Sequence, residues 1–236
     1  MFTVVIAAYN SEKFLEETLH SLQNQTHQDW EAIISVNGSI DKTAEITKSI
    51  CEKDKRFSFI ESSIANKSSA LNRAIVRAKR EWISILDSDD LWESSKLEDQ
   101  KRFIESNVEV DVVGTQLQYI DALGKKIDES PSLPCEHEEV KRNFFNNVNA
   151  IANSSAVYRK SLHEKLGYYD VEFFGVEDYD WWKRCMRNGA KFHNLKEKHL
   201  LHRIHPSSNF NSKNLQNNMK HVVDSLDGFL RNLRER

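Results

Sequence analysis

The sequence predicts an α/β fold with a mostly parallel central sheet flanked by helices. Three observations carry this. Short apolar runs alternate with helical periodicity through the first 90 residues, the pattern of repeated strand–helix units. The run Trp82 to Leu86 then breaks into Asp87, Asp89 and Asp90. That is an acidic turn at the carboxyl end of a buried strand, where open α/β sheets bind their ligands. Finally, no G-x-G-x-x-G follows the first strand and no G-x-x-x-x-G-K-S/T occurs anywhere. The usual dehydrogenase dinucleotide fold and a P-loop are both disfavoured.

The elements follow in order. Phe2 to Ala8 is apolar and reads as a buried first strand, leaving through Tyr9-Asn10-Ser11, a good strand exit and helix cap. Phe14, Leu15, Leu19 and Leu22 recur at helical spacing and predict a helix from about Ser11 to Gln25. Trp30 to Val36 is a second strand, closed by the turn Asn37 to Asp41, with a helix over Thr43 to Lys53. Phe57 to Glu61 is a third strand. Lys67 to Lys79 is helical, with Ala70, Leu71, Ala74, Ile75 and Ala78 on one face. The second half is less regular. Helices are expected over Leu97 to Glu105, Glu138 to Phe145 and Lys160 to Leu166, the last ending at Gly167. Strands are expected over Val110 to Tyr119 and Ser154 to Tyr158.

Composition narrows the class. The chain has 236 residues, 39% hydrophobic and 29% charged, which suits one polar-surfaced globular domain. A net charge of -3 argues against a dedicated nucleic-acid binder. Seven glycines and three prolines leave little room for flexible linkers. Cys51, Cys135 and Cys185 are far apart, so a reduced, cytoplasmic setting is expected. No apolar run is long enough to span a bilayer, and no signal peptide is expected at the amino terminus.

Two stretches carry chemistry. Asp87, Asp89 and Asp90 repel one another unless a positive group sits among them; clustered carboxylate oxygens suit Mg or Mn. The same acids could instead form a solvated turn capping the next helix. Glu177-Asp178-Tyr179-Asp180-Trp181-Trp182 reads as a helix start. Asp178 shares a face with Trp181 and Trp182, so it is placed to be a general base among aromatic walls. Capping by Glu177 or Asp178 is the alternative. His202 and His205 flank Arg203 in an apolar stretch, and one of them could complete a metal site or touch a phosphate.

Taken together, these stretches resemble family 2 glycosyltransferases of the GT-A fold. The resemblance runs through Ala8-Tyr9-Asn10, Gln25-Thr26, Asn37-Gly38-Ser39-Ile40-Asp41, Ala70-Leu71-Asn72, Ile83 to Asp90 with Trp92, Glu177 to Trp182, and Arg203-Ile204-His205. It implies a metal-dependent, inverting, non-processive transfer of a hexosyl or N-acetylhexosaminyl group. The donor is a nucleotide sugar, with a UDP-sugar favoured. The acceptor is a glycan or lipid-linked saccharide, as in cell-surface polysaccharide or lipopolysaccharide synthesis. By resemblance, Ala8, Tyr9, Asn10, Asn37, Lys67, Asn72, Asp87, Ser88 and Asp89 bind the donor. Asp89, with Asp87, Asp90 and His205, holds Mn or Mg. Asp178 is the base, with Glu177 as the alternate.

The sequence also departs from that pattern. Val36 and Asn37 replace the two acids of the second turn, and Lys67 stands where glycine is common. The processive Q-x-x-R-W motif is absent. The changed turn favours a degenerate domain that binds nucleotide or glycan, against which the intact acids argue. A nucleotidyltransferase would need a Gly-rich basic loop where Ala8-Tyr9-Asn10-Ser11 stands. The domain is expected over residues 1–211. Residues 212–236 are expected to form an amphipathic helix packed on it, or used for a dimer or peripheral contact with the inner face of a membrane.

Overall fold

The computed structural model describes residues 1–173 and 175–206. The helix expected beyond residue 211 lies outside them. The first half alternates as expected: β1 (Phe2–Ala8), α1 (Leu15–Gln23), β2 (Trp30–Asn37), α2 (Thr43–Lys53), β3 (Phe57–Ser62), α3 (Lys67–Arg77) and β4 (Trp82–Ile85). The second half adds β5 (Leu91–Trp92), α4 (Lys96–Ser106), β6 (Val112–Ile120), α5 (His137–Phe145), β7 (Val157–Arg159), α6 (Ser161–Leu166), α7 (Glu177–Arg187) and β8 (Phe192–Arg203).

The eight strands form one sheet in the order β3-β2-β1-β4-β7-β6-β8-β5. Strands β1, β2, β3 and β4 are mutually parallel, and β6 is parallel to β8. Strand β7 runs antiparallel between β4 and β6, and β5 is antiparallel to β8. Alternate side chains of β1 enter opposite layers, as the two-residue period of a strand requires. Val5 packs with Leu71, Ile75, Trp181 and Trp182, whereas Val4 and Ile6 pack with Leu15, Leu19, Leu22 and Trp92. The sheet is therefore covered on both faces, and its strand ends at one edge are left open to build a site.

Three elements differ from expectation. Ser154 to Tyr158 is not one strand: Asn153–Ser155 form a 3-10 turn before β7. Ser154 and Ser155 spend their hydroxyls there, accepting from the backbone N–H of Asp87 and Thr115 at 3.0 and 3.1 Å. Strand β5 is only two residues long, and it ties the acidic turn to Leu200 and Leu201 of β8. Strand β8 is twelve residues long but interrupted by exposed Lys196, Glu197 and Lys198, where its register with β6 shifts. No helix among the described residues is long and apolar enough to cross a membrane.

Candidate active site

A cavity of about 790 Å³ opens at the carboxyl ends of β1, β2 and β4. Its floor is set by tight turns. Asn10 takes a left-handed conformation (φ 46°), which asparagine tolerates. Its N–H donates to Ser39 Oγ (3.1 Å), and its Oδ1 accepts from the Ile40 N–H (3.0 Å). Asn37 is buried, with its amide nitrogen turned to donate to the carbonyls of Ala8 (2.8 Å) and Ser35 (3.3 Å). The Ser11 and Ser88 hydroxyls lie 2.7 Å apart, and the Thr18 hydroxyl donates to the Ser88 carbonyl (3.1 Å). The first turn and the acidic turn are thus one unit.

The three acids point in different directions. Asp87 meets the Lys67 ammonium at 2.8 Å. Asp89 Oδ2 meets His205 Nε2 at 2.9 Å. Asp90 is fully buried: it accepts from the Arg203 N–H (2.9 Å) and sits 3.1 Å from His202 Nδ1. Burial alone would lower the His202 pKa, but the Asp90 carboxylate outweighs it and holds the imidazole up to about 9. The Arg203 guanidinium is buried too, donating to the Asp89 carbonyl (2.8 Å) and to Glu17 (2.7 Å). Strand β8 therefore clamps the acidic turn from below.

Across the cavity, α7 starts at Glu177 and presents Glu177 and Asp178. Glu177 is buried, with Oε1 3.4 Å from Lys67 Nζ and Oε2 without a hydrogen-bond partner among the described residues. Lys67 thus joins Asp87 to Glu177. Burial would lower its pKa, yet Asp87 and then Glu177 raise it well above the usual lysine value. Asp178 Oδ2 accepts from Asn149 Nδ2 at 3.3 Å. Burial first, and the Glu177 charge next, push the Asp178 carboxyl up to about 7, against the pull of Lys67. A carboxyl poised near neutrality in a cleft is suited to taking a proton.

The cavity therefore pairs an anchored acidic turn with a half-buried carboxylate opposite it, at the open edge of an α/β sheet. Residues 3–167 match the model of glycosyl transferase family 2. The chain belongs to that family. It is 34% identical over 216 residues to an uncharacterized glycosyltransferase of Methanocaldococcus jannaschii, covering 90% of this chain and 74% of the relative. It is 30% identical over 211 residues to the O-antigen biosynthesis glycosyltransferase WbnJ of Escherichia coli, covering 88% and 81%. Among solved structures it resembles S. aureus TarS 1–349 in complex with UDP-GlcNAc, with a TM-score of 0.76 and 19% identity. That match covers 94% of this chain and 65% of the TarS chain. A mannosyltransferase from Pyrobaculum calidifontis, in complex with GDP-Man and Mn2+, aligns with a TM-score of 0.62 at 19% identity, covering 84% and 54%. The mostly parallel GT-A sheet expected from the sequence is the one observed.

The glycosyltransferase places its expected site residues unevenly. Tyr9, Asn10, Asn37, Lys67, Asp87, Ser88, Asp89, Glu177, Asp178 and His205 line the cavity together. Three do not. Ala8 lies beneath it, fully buried, offering its carbonyl to Asn37. Asn72 faces away, its amide donating to the Tyr169 carbonyl (2.7 Å) and accepting from the Tyr169 N–H (3.0 Å). Asp90 supports the turn from within, because both its oxygens are spent on β8. The aromatic walls differ as well. Trp181 and Trp182 are buried in the core, with Trp181 stacked on His163 at 4.1 Å, and Tyr179 lines the cavity instead. The N-cap of α7 is Val176, not either acid. Asn149, Asn153 and Ser154 also line the cavity; sequence reasoning missed all three as site residues, and the asparagine-rich run Asn146 to Asn153 is the signal that could have pointed to the first two.

Among the described residues, no group of three or more His, Cys, Asp or Glu side chains is arranged to hold a metal ion. Asp89 and His205 do converge, giving one hard oxygen and one imidazole nitrogen. Such a pair fits Mg or Mn, which take one or two protein ligands and complete their shell with phosphate oxygens and water.

Proposed function

We propose that this glycosyltransferase moves a hexosyl or N-acetylhexosaminyl group from a nucleotide sugar to a hydroxyl of a glycan or lipid-linked saccharide. UDP is the favoured nucleotide, the anomeric carbon is inverted, and the product serves cell-surface polysaccharide or lipopolysaccharide synthesis. The observation that supports this is that Asp178, Asp87 and Asp89 line one cavity, with Lys67 joining Asp87 to Glu177 beside Asp178. Tyr9 and Asn10 take the nucleoside side of the donor, and Asn37 holds the turn beneath them. Asp89 and His205 would hold Mn or Mg, with Asp87 alongside. The ion, when bound, neutralises charge on the departing diphosphate. Asp178 accepts the proton of the acceptor hydroxyl as that oxygen bonds to the anomeric carbon and the bond to diphosphate breaks. A base facing the leaving-group side supports a single displacement, hence inversion. The WbnJ relationship supports a polysaccharide setting, and the UDP-GlcNAc and GDP-Man complexes of similar folds support a nucleotide-sugar donor. The amphipathic sequence after residue 211 supports a cytoplasmic enzyme touching the inner face of a membrane or a second copy of the chain.

The test is a panel of UDP- and GDP-sugars with Mn, with Mg and with EDTA, scored by ligand-observed NMR and by slow donor hydrolysis. Binding and hydrolysis of one donor, both lost with EDTA, are expected. Nucleotide binding with no hydrolysis and no transfer to any acceptor would identify a degenerate binding domain instead.

A further inference from the structure

Asn153 is a cavity-lining residue whose side chain makes no hydrogen bond among the described residues. Its amide nitrogen and oxygen are both buried, and neither has a partner there. The neighbours on the same loop are committed. Asn149 donates to Asp178, and its oxygen accepts from the Ile151 N–H (3.2 Å). The Ser154 hydroxyl accepts from the Asp87 N–H, and the Ser154 carbonyl accepts from the Trp92 indole (2.7 Å). The backbone carbonyl of Asn153 closes the 3-10 turn by accepting from Ala156. Folding thus fixes the backbone of Asn153 firmly and leaves its amide unsatisfied, a costly arrangement unless a ligand completes it.

Its position says which part of a ligand would do so. Asn153 lies in sequence between the residue that holds Asp178 and the residue that holds the Asp87 backbone. On the reading of the cavity given above, on which this inference rests, the transferred sugar occupies the space between base and leaving group. We infer that Asn153 binds the transferred sugar itself, through adjacent hydroxyls on the ring. The amide offers two N–H donors and one carbonyl acceptor, and a pair of neighbouring hydroxyls can give and take both bonds. The residue as a whole is only half-buried and lines the cavity, and its side chain must rotate for the amide to meet the sugar. Asn153 is then a specificity residue for the sugar and is indifferent to the nucleotide.

The experiment is calorimetric titration of the full chain, with Mn present, for wild type, Asn153→Ala and Asn153→Ser. The probes are UDP, UDP-glucose, UDP-galactose, UDP-N-acetylglucosamine, GDP and GDP-mannose. For the sugar nucleotide that wild type binds, Asn153→Ala is expected to weaken binding about tenfold and Asn153→Ser by less. The matching free nucleotide should change by less than about twofold. Thermal melting without ligand should be no lower in Asn153→Ala than in wild type, because two unpaired groups are removed. Equal losses for nucleotide and sugar nucleotide, or no loss at all, would overturn the inference while leaving the nucleotide-sugar reading intact. So would a lowered melting temperature with both affinities reduced, which is a structural role. Wild type binding none of the six probes would overturn both.

Discussion

The two sides of the cavity are built on opposite principles. On the side of β1, β2 and β4, polar groups are already paired: Asn10 with Ser39 and Ile40, Asn37 with two carbonyls, Ser88 with Ser11 and Thr18, Asp90 with Arg203 and His202. On the side of α7 and the 149–154 loop, groups are buried but incompletely paired. Glu177 keeps one bare oxygen, Asn153 a bare amide, and Asp178 is pushed up to about 7. A satisfied network is rigid and holds geometry. An under-satisfied one stores reactivity and binding capacity at a cost in stability. On the proposed function, the first side positions the donor and the ion, and the second supplies the base.

Asp178→Asn should break the contrast most severely. Turnover is expected to fall about 10³-fold, the scale of a lost general base, with donor affinity retained. In wild type the carboxylate form is the active one, so turnover should rise with pH through about 7 and then level. Stability carries the opposite sign. The folded carboxyl holds its proton up to about 7, whereas the unfolded one releases it near 3.8. The folded state therefore binds more protons across that window, and stability falls as pH rises through it. Asp178→Asn removes that loss and should raise the melting temperature at pH 8 but not at pH 4. Retained turnover would shift the base role to Glu177, and a pH-independent stability change would deny the buried charge.

The same contrast explains what was legible in the sequence. Strands β1, β2 and β4 are buried on both faces, so they read as continuous apolar runs with turn residues at their ends, whereas β3, at the sheet edge, mixes buried and exposed residues. The acidic turn and the Glu177-Asp178 pair were visible because unpaired acids beside apolar runs are conspicuous. Strand β5 was hidden by its two-residue length, and β8 by the charged Lys196-Glu197-Lys198 at its register shift. The roles of Asp90 and Asn72 depend on partners 113 and 97 residues away, which no local pattern encodes. Asn153 escaped for a related reason. An asparagine before two serines looks like turn chemistry, and only the structure shows that its amide makes no turn contact among the described residues.

Asp89 and Asp90 offer a finer test within one turn. Asp90→Ala removes the buried carboxylate that meets His202 and the Arg203 N–H and should cost about 3 kcal/mol in urea unfolding, the scale of a broken buried ion pair. Asp89, 28% exposed, should cost less than about 1 kcal/mol as Asp89→Ala. That variant should nevertheless lose Mn-dependent donor binding in a titration, which an Asp90→Ala protein below its unfolding midpoint should keep in part. Equal stability losses would mean that the two acids share one role and that the clamp from β8 does not divide them.

Asn37→Asp should have the smallest effect, and it probes the satisfied side most directly. A carboxylate at this position faces the carbonyls of Ala8 and Ser35, where the amide now donates. Exchanging a buried donor for an acceptor should cost about 1–2 kcal/mol, read as a melting temperature lower by about 3–6 °C in a chain of this size. Preference between UDP and GDP should shift less than about tenfold, because the side chain is spent on the backbone before any nucleotide arrives. A variant as stable as wild type, with a larger change in nucleotide preference, would show that Asn37 is free to read the base. The first side of the cavity would then share the incompletely paired character of the second.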